Sequence, residues 1–205
     1  MKLNMHLPSG RTLSADVSDT EIEGAHAWFD RLNAPASALV TGQTVEVELD
    51  WATLRLKAQG KEVQVFEPDY SAPDAVRFVP GVATTDQVFA AQERLMRALD
   101  LVPQPVHGQQ YVRVAESALN STSVFGHRFA ETESEFTGWQ IGSSAPAEGE
   151  SFGQYSVREL THRNLAWLVA MCLPTGWSFR FAGHTLIDCV AASGQTHELM
   201  FSIDV

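Results

Sequence analysis

Hydrophobic and polar residues alternate in the first third of the chain in a way that predicts strands. Residues 2–7 and 11–17 flank a turn that contains proline and glycine, which indicates a β-hairpin. Apolar side chains then alternate with acidic ones over 45–49 and with basic ones over 54–58, and a third alternating run follows Gly60. Acidic and basic residues on adjacent strands make favourable cross-strand pairs. We therefore predict an antiparallel meander after the hairpin.

Three other segments carry apolar residues at the 3.6-residue spacing of a helix. The first covers 22–32 and is expected to end at 33–35, where a proline stands. The second covers 84–101, and the third covers 157–172, just before Pro174. Each follows a helix-capping signal, in which a short polar side chain accepts a hydrogen bond from a backbone N–H of the first turn. These signals are Ser18 with Glu21, residues 84–87, and Ser156 with Glu159.

The rest of the pattern is dominated by short strands. We predict them over 111–115, 123–129, 139–141, 177–181, 185–190 and 197–203. Strands joined mainly by turns, with about three helices packed on them, indicate an α+β fold with mostly antiparallel sheets. Residues 67–81 are rich in proline and acidic side chains and read as a connector. The prediction is a small N-terminal α+β unit, residues 1–72, and a C-terminal α+β domain, residues 73–205.

Charge narrows the possible partners of this chain. Its 205 residues carry a formal net charge of −11, which repels nucleic-acid phosphates and anionic membrane surfaces. A basic protein partner fits this charge, although the charge can equally serve solubility alone. The N-terminal residues lack the apolar core of a signal peptide, and no apolar run approaches the ~18 residues of a membrane span. We therefore expect a cytoplasmic protein that binds neither nucleic acid nor membrane; its oligomeric state is left open.

Candidate metal ligands are few. Glu23 with His26 and Glu159 with His162 both match E-x-x-H, which places a carboxylate and an imidazole on one helical face. Di-iron proteins use two such pairs on a bundle of four long helices, whereas this pattern predicts mostly strands. The two cysteines, Cys172 and Cys189, lie in apolar surroundings and are expected to be reduced core residues. We predict no metal and no cofactor.

Catalytic signatures are also weak. The sequence contains no Cys-x-x-Cys, His-Glu-x-x-His or Gly-x-Ser-x-Gly motif. His127 and Arg128, with Glu131 nearby, could form an acid–base cluster, but a histidine on a wet strand end is the simpler interpretation. His184 is expected in a hairpin turn. Tyr111 and Arg113 share a strand face that could bind an anion or simply be solvated; an enzyme remains an alternative.

The five tryptophans do not all have the same predicted role. Trp28, Trp167 and Trp177 fall on apolar faces and are expected in the core. Trp51 follows a charged strand and is expected to cover a sheet edge. Trp139 differs, because a glycine precedes it and an acidic stretch surrounds it.

No lysine or arginine occurs between Arg128 and Arg158, while five glutamates do. Three of them, Glu131, Glu133 and Glu135, occupy alternate positions just ahead of Thr137-Gly138-Trp139. Like charges at this density destabilise a fold unless they are solvated or matched by a partner. One interpretation is a solvated loop beside a strand whose tryptophan anchors the core. The other is a surface that binds a basic protein.

The segment "FGHRFAETESEFTGWQIGSS", continued in "SVRELTHRNLAWLVAMCLPTGWSFRF", resembles the immunity-protein thirty-three family of bacterial polymorphic-toxin systems. In that family a strand leads into an acidic loop, then a small residue, Gly and Trp, and another strand. Here these are the strand 124–129, the loop 131–135 and Thr137-Gly138-Trp139. An acidic residue and serine commonly precede Gly-Trp in the family, whereas this chain has Phe136-Thr137. The resemblance covers roughly residues 105–205.

The resemblance implies an α+β immunity-type inhibitor that neutralises a cognate bacterial toxin. In that interpretation the partner-binding residues are Glu131, Glu133, Glu135 and Trp139, with the glutamates attracting a basic toxin and the tryptophan supplying buried contact area. The alternative functions are a general interaction or regulatory module without a toxin partner, and an uncharacterised enzyme.

Overall fold

The computed structural model describes residues 1–17, 27–72, 77–144 and 149–202, and it confirms an α+β fold with mostly antiparallel sheets. The described strands are β1 Lys2–His6, β2 Thr12–Asp16, β3 Thr44–Leu49, β4 Ala52–Gln59, β5 Glu62–Pro68, β6 Phe78–Pro80, β7 Tyr111–Ala115, β8 Ser123–Arg128, β9 Phe136–Ser143, β10 Phe152–Ser156, β11 Ser178–Ala182, β12 Thr185–Val190 and β13 Thr196–Ser202. The described α-helices are α1 Asn33–Ala38, α2 Ala83–Leu99, α3 Val157–Thr161 and α4 Ala166–Ala170. None of them could span a membrane.

The first sheet contains the predicted hairpin and meander. Its order is β1-β2-β5-β4-β3, with β6 added beside β5, and all of its pairings are antiparallel except β2 with β5. Glu46 lies opposite Arg55 in the β3–β4 register, and their side chains form an ion pair of 2.7 Å. The predicted cross-strand charge pairing is therefore present. The hydrogen bonding of this sheet extends past residue 72 through β6, and the division into units at 72 and 73 stays a prediction.

The second sheet has seven strands in the order β10-β7-β9-β8-β11-β12-β13. Only β7 and β9 run parallel; the other pairings are antiparallel. Its inner face packs against the helices, in a core that includes Leu95, Leu168, Ile141 and Phe179. Because side chains alternate between the two faces of a strand, every second residue of these strands points away from that core. We call this other side the outer face.

Helix α2 is capped in a way that the sequence pattern did not predict. It begins at Ala83, so the predicted cap at 84–87 lies inside the helix and that prediction was wrong. Instead, Glu67 of β5 reaches the helix N-terminus, where its two carboxylate oxygens accept from the backbone N–H groups of Thr84 (3.1 Å) and Thr85 (2.7 Å). Glu67 is buried, and burial raises the pKa of its carboxyl against the opposing effect of these hydrogen bonds. A carboxylate there also complements the helix dipole.

We expect Glu67→Gln to lower the free energy of unfolding by about 1–3 kcal/mol, because one of two buried N–H groups loses its acceptor. Chemical denaturation measures the change. The matched control is Glu93→Gln on the same helix, where only an exposed ion pair with Arg97 is lost and the expected change is about 0.5 kcal/mol or less. Equal losses in the two variants would contradict the capping role.

Two further helix predictions needed correction. The signal at Ser18 and Glu21 lies outside the described residues, but a 3-10 helix over Ala27–Leu32 continues directly into α1, so the chain is helical through 33–35 instead of ending there. Proline is tolerated in the first turn of a helix, where its missing N–H has no partner to lose. The segment 157–172 is interrupted between α3 and α4, although the capping box of Ser156 and Glu159 is confirmed. Strand β10 was not predicted.

The cores agree with most of the predicted interior. Trp28, Trp167 and Trp177 are buried, as are both cysteines, which are free thiols. Burial raises the pKa of each thiol to about 12, so neither is a reactive thiolate at neutral pH. Trp51 lies in the turn between β3 and β4 and is 2% exposed. It packs in the core beneath the second sheet, so it joins the two sheets instead of covering an edge.

Candidate functional site

The acidic stretch leads into a distorted strand. In β9 the register against β7 shifts, so that Tyr111 lies opposite Phe136 but Arg113 lies opposite Gln140. Gly138 sits inside this irregularity at φ 81°, a conformation that favours glycine. A Cβ on Gly138 would lie 2.3 Å from the carbonyl oxygen of Phe129, so the close approach of the two strands also requires glycine.

Thr137 holds this bulge together with its hydroxyl. The Oγ1 atom donates to the carbonyl oxygen of Tyr111 at 3.1 Å and accepts from the backbone N–H of Trp139 at 3.1 Å. Thr137 therefore supplies the side-chain hydrogen bonds that hold the turn before Gly138 and Trp139. The effect of the bulge is to turn Trp139 toward the helices.

Trp139 is a core residue. Its side chain is 1% exposed, its ring centroid lies 4.9 Å from that of Phe179, and its indole Nε1 donates to the carbonyl oxygen of Met171 at 3.0 Å. A side chain with so little exposed surface does not support the predicted contact between Trp139 and a partner protein. Of the two interpretations of the acidic stretch, the structure gives Trp139 the role of core anchor.

Arg128 lies beside Trp139 and is 4% exposed. Its guanidinium donates to main-chain carbonyls: Nε to Thr137 at 3.1 Å, and Nη1 to Gln104 and Leu173 at 2.7 Å each. Desolvation lowers the pKa of Arg128 to about 10, which leaves the group charged at neutral pH. These hydrogen bonds connect the end of β8 to the backbone at Gln104, Thr137 and Leu173. The guanidinium points away from the outer face.

The three glutamates of the acidic loop, which we define as residues 131–135, are not equivalent. Glu131 is partly buried and forms an ion pair of 2.9 Å with Arg113, a cation that comes from β7 and so from outside the stretch. The hydrogen bond from Arg113 holds the pKa of Glu131 below its usual value. Glu133 and Glu135 are exposed. The negative charge available to a partner is therefore greatest at these two.

Backbone hydrogen bonds give the acidic loop a defined shape. The carbonyl oxygen of Glu135 accepts from the N–H of Tyr111 at 2.7 Å, and that of Glu133 accepts from the N–H of Phe136 at 3.1 Å. Gln110 donates through its side chain to the carbonyl oxygen of Ser134 at 3.0 Å. A loop fixed in this way can present its carboxylates without a large ordering cost on binding.

The outer face next to this loop is rich in aromatic side chains. Of the large hydrophobic residues that are exposed in the described part of the chain, all four aromatics belong to this face; they are Tyr111, Phe125, Phe129 and Phe152, at 39–48% exposure. Across the middle of the face runs a row of polar residues in register, composed of Gln154, Arg113, Gln140, His127 and Ser178. An exposed apolar patch with polar residues among it is typical of a protein-binding surface.

Neighbouring side chains order the aromatics of this face. Phe129 contacts the ring of His127 edge-on at 4.4 Å, and Arg113 stacks over Phe136 at 4.4 Å. Phe125 lies across Gly142, which has no side chain to displace it. This patch was not predicted, although Phe125, His127 and Phe129 alternate along β8 and the residue that follows it, which was a usable signal.

The other candidate sites do not assemble into catalytic clusters. His127 Nδ1 pairs with Ser178 Oγ at 2.7 Å on the outer face, whereas Arg128 points into the core, so the proposed acid–base cluster is not formed. His184 is exposed in the turn between β11 and β12. Glu23 and His26 lie outside the described residues. Within residues 1–17, 27–72, 77–144 and 149–202, no group of three or more potential ligands could hold a metal ion.

Comparison with known proteins gives one match. Residues 91–192 match the family model described as the Imm33-like domain. No curated protein and no solved structure is significantly similar to this chain. The matched range contains the second half of α2, the acidic loop and the strands β7 to β12, and it overlaps the range of the sequence resemblance. Residues 91–192, just under half of the chain, are therefore similar to the Imm33-like domain.

Proposed function

We propose that this protein is an immunity-type inhibitor that neutralises a cognate bacterial toxin by binding it. The observation that carries the proposal is that the Imm33-like segment, residues 91–192, contains both the acidic loop and the aromatic outer face. The inhibitor acts in the cytoplasm of the cell that makes it and needs no catalytic step. Its partner is a protein toxin with a basic surface.

Charge supports a basic partner. The whole chain has a net charge of −11, and Glu133 and Glu135 project from an ordered loop into solvent. Such carboxylates raise the rate at which an oppositely charged protein arrives in the correct orientation. Glu131 contributes less, because Arg113 offsets its charge and holds it against the face. In this proposal Glu131 helps to position the loop.

Aromatic contact area supports a stable complex once the partner has arrived. Phe129 and Tyr111 border the acidic loop, and Phe125 lies farther along the same face. Exposed aromatic side chains that are already held in place lose little entropy on binding and become strong contact points. In this proposal Phe129 and Phe125, and not Trp139, are the aromatic residues that contact the partner. Trp139 packs in the core beneath the sheet.

The test of charge steering measures stopped-flow association of the purified protein with its cognate toxin, which is sought first among the products of neighbouring genes. We expect the double variant Glu133→Gln/Glu135→Gln to associate more slowly at low salt by roughly three- to tenfold, with a flatter dependence on ionic strength. Its melting temperature should not change. The single variant Glu131→Gln should have the smaller effect of the two.

The matched control is Asp30→Asn/Glu116→Gln, which removes the same net charge from two exposed carboxylates away from the acidic loop. If the control slows association as much as the loop variant, only the total charge matters and the loop is not the steering surface. If no toxin from the same host binds the protein, the proposal fails and an interaction module without a toxin partner is the better account.

A further inference from the structure

A cavity of about 200 Å³ lies between the first sheet and helix α3. Trp51, Arg55, Tyr70 and Phe78 line it from the N-terminal half of the chain, and Arg158 and His162 line it from α3 and the residue that follows. The volume is below the roughly 300–1,000 Å³ of drug-sized ligand sites, which suits a small organic molecule. The cavity is separate from the acidic loop and the outer face.

Unpartnered polar atoms are concentrated in the walls of this cavity. Six buried side-chain nitrogen or oxygen atoms have no hydrogen-bond partner in the described part of the chain, and four of them belong to lining residues. They are Nε1 of Trp51, Nε of Arg158 and both ring nitrogens of His162. Trp51 is 2% exposed, so its N–H is out of reach of bulk water. Buried donors without partners are costly and uncommon, and a ligand can satisfy them.

The chemistry of these atoms specifies the ligand. The indole Nε1–H and the guanidinium Nε–H are donors only, and a neutral imidazole adds one donor and one acceptor. The unpaired set thus has at least three donors and at most one acceptor. A carboxylate, with two oxygens and about four acceptor positions, complements it. We propose that this cavity binds a small carboxylic acid with a flat apolar body.

The charged groups around the cavity form ion pairs with one another. Arg55 pairs with Glu46 at 2.7 Å and Arg158 with Glu48 at 2.9 Å, so each cation is already matched. Arg158 Nη2 also donates to Thr53 Oγ1 at 2.8 Å, which holds the guanidinium in place, while the buried Nε has no partner. Glu46 also lines the cavity, and the two arginines and two glutamates sum to zero charge, so recognition of the ligand would rest on the unpaired donors.

Aromatic side chains supply the apolar part of the site. The ring of Phe78 lies under the guanidinium of Arg55 at 3.8 Å, and the rings of Tyr70 and Trp51 have centroids 6.3 Å apart. Tyr70 also contacts the ring of His162, at 5.9 Å, and its hydroxyl is held by Thr85. These surfaces would contact a planar ring, so an aromatic acid is a suitable probe.

The experiment titrates the full-length protein with benzoate, benzamide and benzamidine, which share a shape and differ in charge. The readout is the indole ¹H–¹⁵N signal of Trp51, assigned by its loss in Trp51→Phe. We expect benzoate to shift this signal saturably, with a Kd at least about tenfold lower than that of either analogue, the ratio expected for a charge-assisted hydrogen bond. The dipeptide Gly-Phe tests a protein C-terminus as the source of the carboxylate, and we expect it to bind more weakly than benzoate.

The variant His162→Phe keeps a ring in the wall but removes both unpaired nitrogens, and we expect it to weaken benzoate at least about fivefold. His184→Phe, in the exposed turn between β11 and β12, is the matched control and should leave benzoate binding unchanged. A Trp51 signal that does not move, or that moves equally with all three ligands, would show that the cavity holds only water and would overturn the proposal. Tighter binding of Gly-Phe than of benzoate would overturn its assignment to a small free acid.

Discussion

Trp139→Ala is expected to lower the free energy of unfolding by about 3–5 kcal/mol, the usual range for truncating a large aromatic residue in a packed core. The side chain is 1% exposed and its ring contacts Phe179, so its removal leaves a cavity beneath the second sheet. The carbonyl oxygen of Met171 also loses its indole donor. Chemical denaturation monitored by circular dichroism measures the loss.

The control for this prediction is Phe129→Ala. It truncates an aromatic residue that directly follows β8 in the same sheet and is 48% exposed. We expect it to change the unfolding free energy by about 1 kcal/mol or less. If Trp139→Ala instead keeps the wild-type stability and loses only toxin binding, then Trp139 is a surface anchor and not a core residue.

Arg128→Met is expected to cost at least about 3 kcal/mol of unfolding free energy. Methionine fills similar space but cannot donate, so the carbonyl oxygens of Thr137, Gln104 and Leu173 lose a donor in a buried setting. Each buried acceptor left without a partner costs about 1–3 kcal/mol. The exposed Arg163→Met is the matched control, where only a ring contact with Tyr155 at 5.4 Å is lost and the expected change is about 0.5–1 kcal/mol.

Arg128 and Trp139 should also be energetically coupled. Both donate toward the carbonyl oxygen of Met171, at 3.5 Å and 3.0 Å, and the guanidinium lies 5.9 Å from the indole ring. In a double-mutant cycle, residues that share a partner deviate from additivity by about 0.5–3 kcal/mol. Strict additivity of the two single variants would mean that Arg128 and Trp139 stabilise the end of β8 independently.

Local pattern was sufficient to predict most strands of this fold, because alternation and turn residues are encoded within a few positions. The hairpin of β1 and β2 and the charge pair of Glu46 with Arg55 are examples. The cap of α2 could not be predicted in this way. Its acceptor, Glu67, stands 17 residues earlier, in β5, and only the tertiary fold brings it to Thr84.

In the candidate site, too, contacts between residues that are distant in sequence could not be predicted. The sequence shows an acidic stretch without lysine or arginine, but Arg113, 18 residues away, becomes the partner of Glu131 once β7 lies beside β9. It also shows a Gly-Trp pair, but not that the bulge at Gly138 turns the tryptophan inward. The inner or outer direction of a strand residue depends on register, and a bulge changes the register without a strong local signal.

The central claim is that the acidic loop and the aromatic outer face together bind a bacterial toxin. The most direct measurement is the Kd with which the variant Phe125→Ser/Phe129→Ser binds the cognate toxin. The comparison is valid if the melting temperature of the variant equals that of the wild type. The control is Val102→Ser, which removes an apolar side chain that is 82% exposed outside the sheet. We predict that the double variant binds at least about tenfold more weakly, as for the loss of contact hot spots, and that the control binds like the wild type. Wild-type affinity in the double variant would contradict the account.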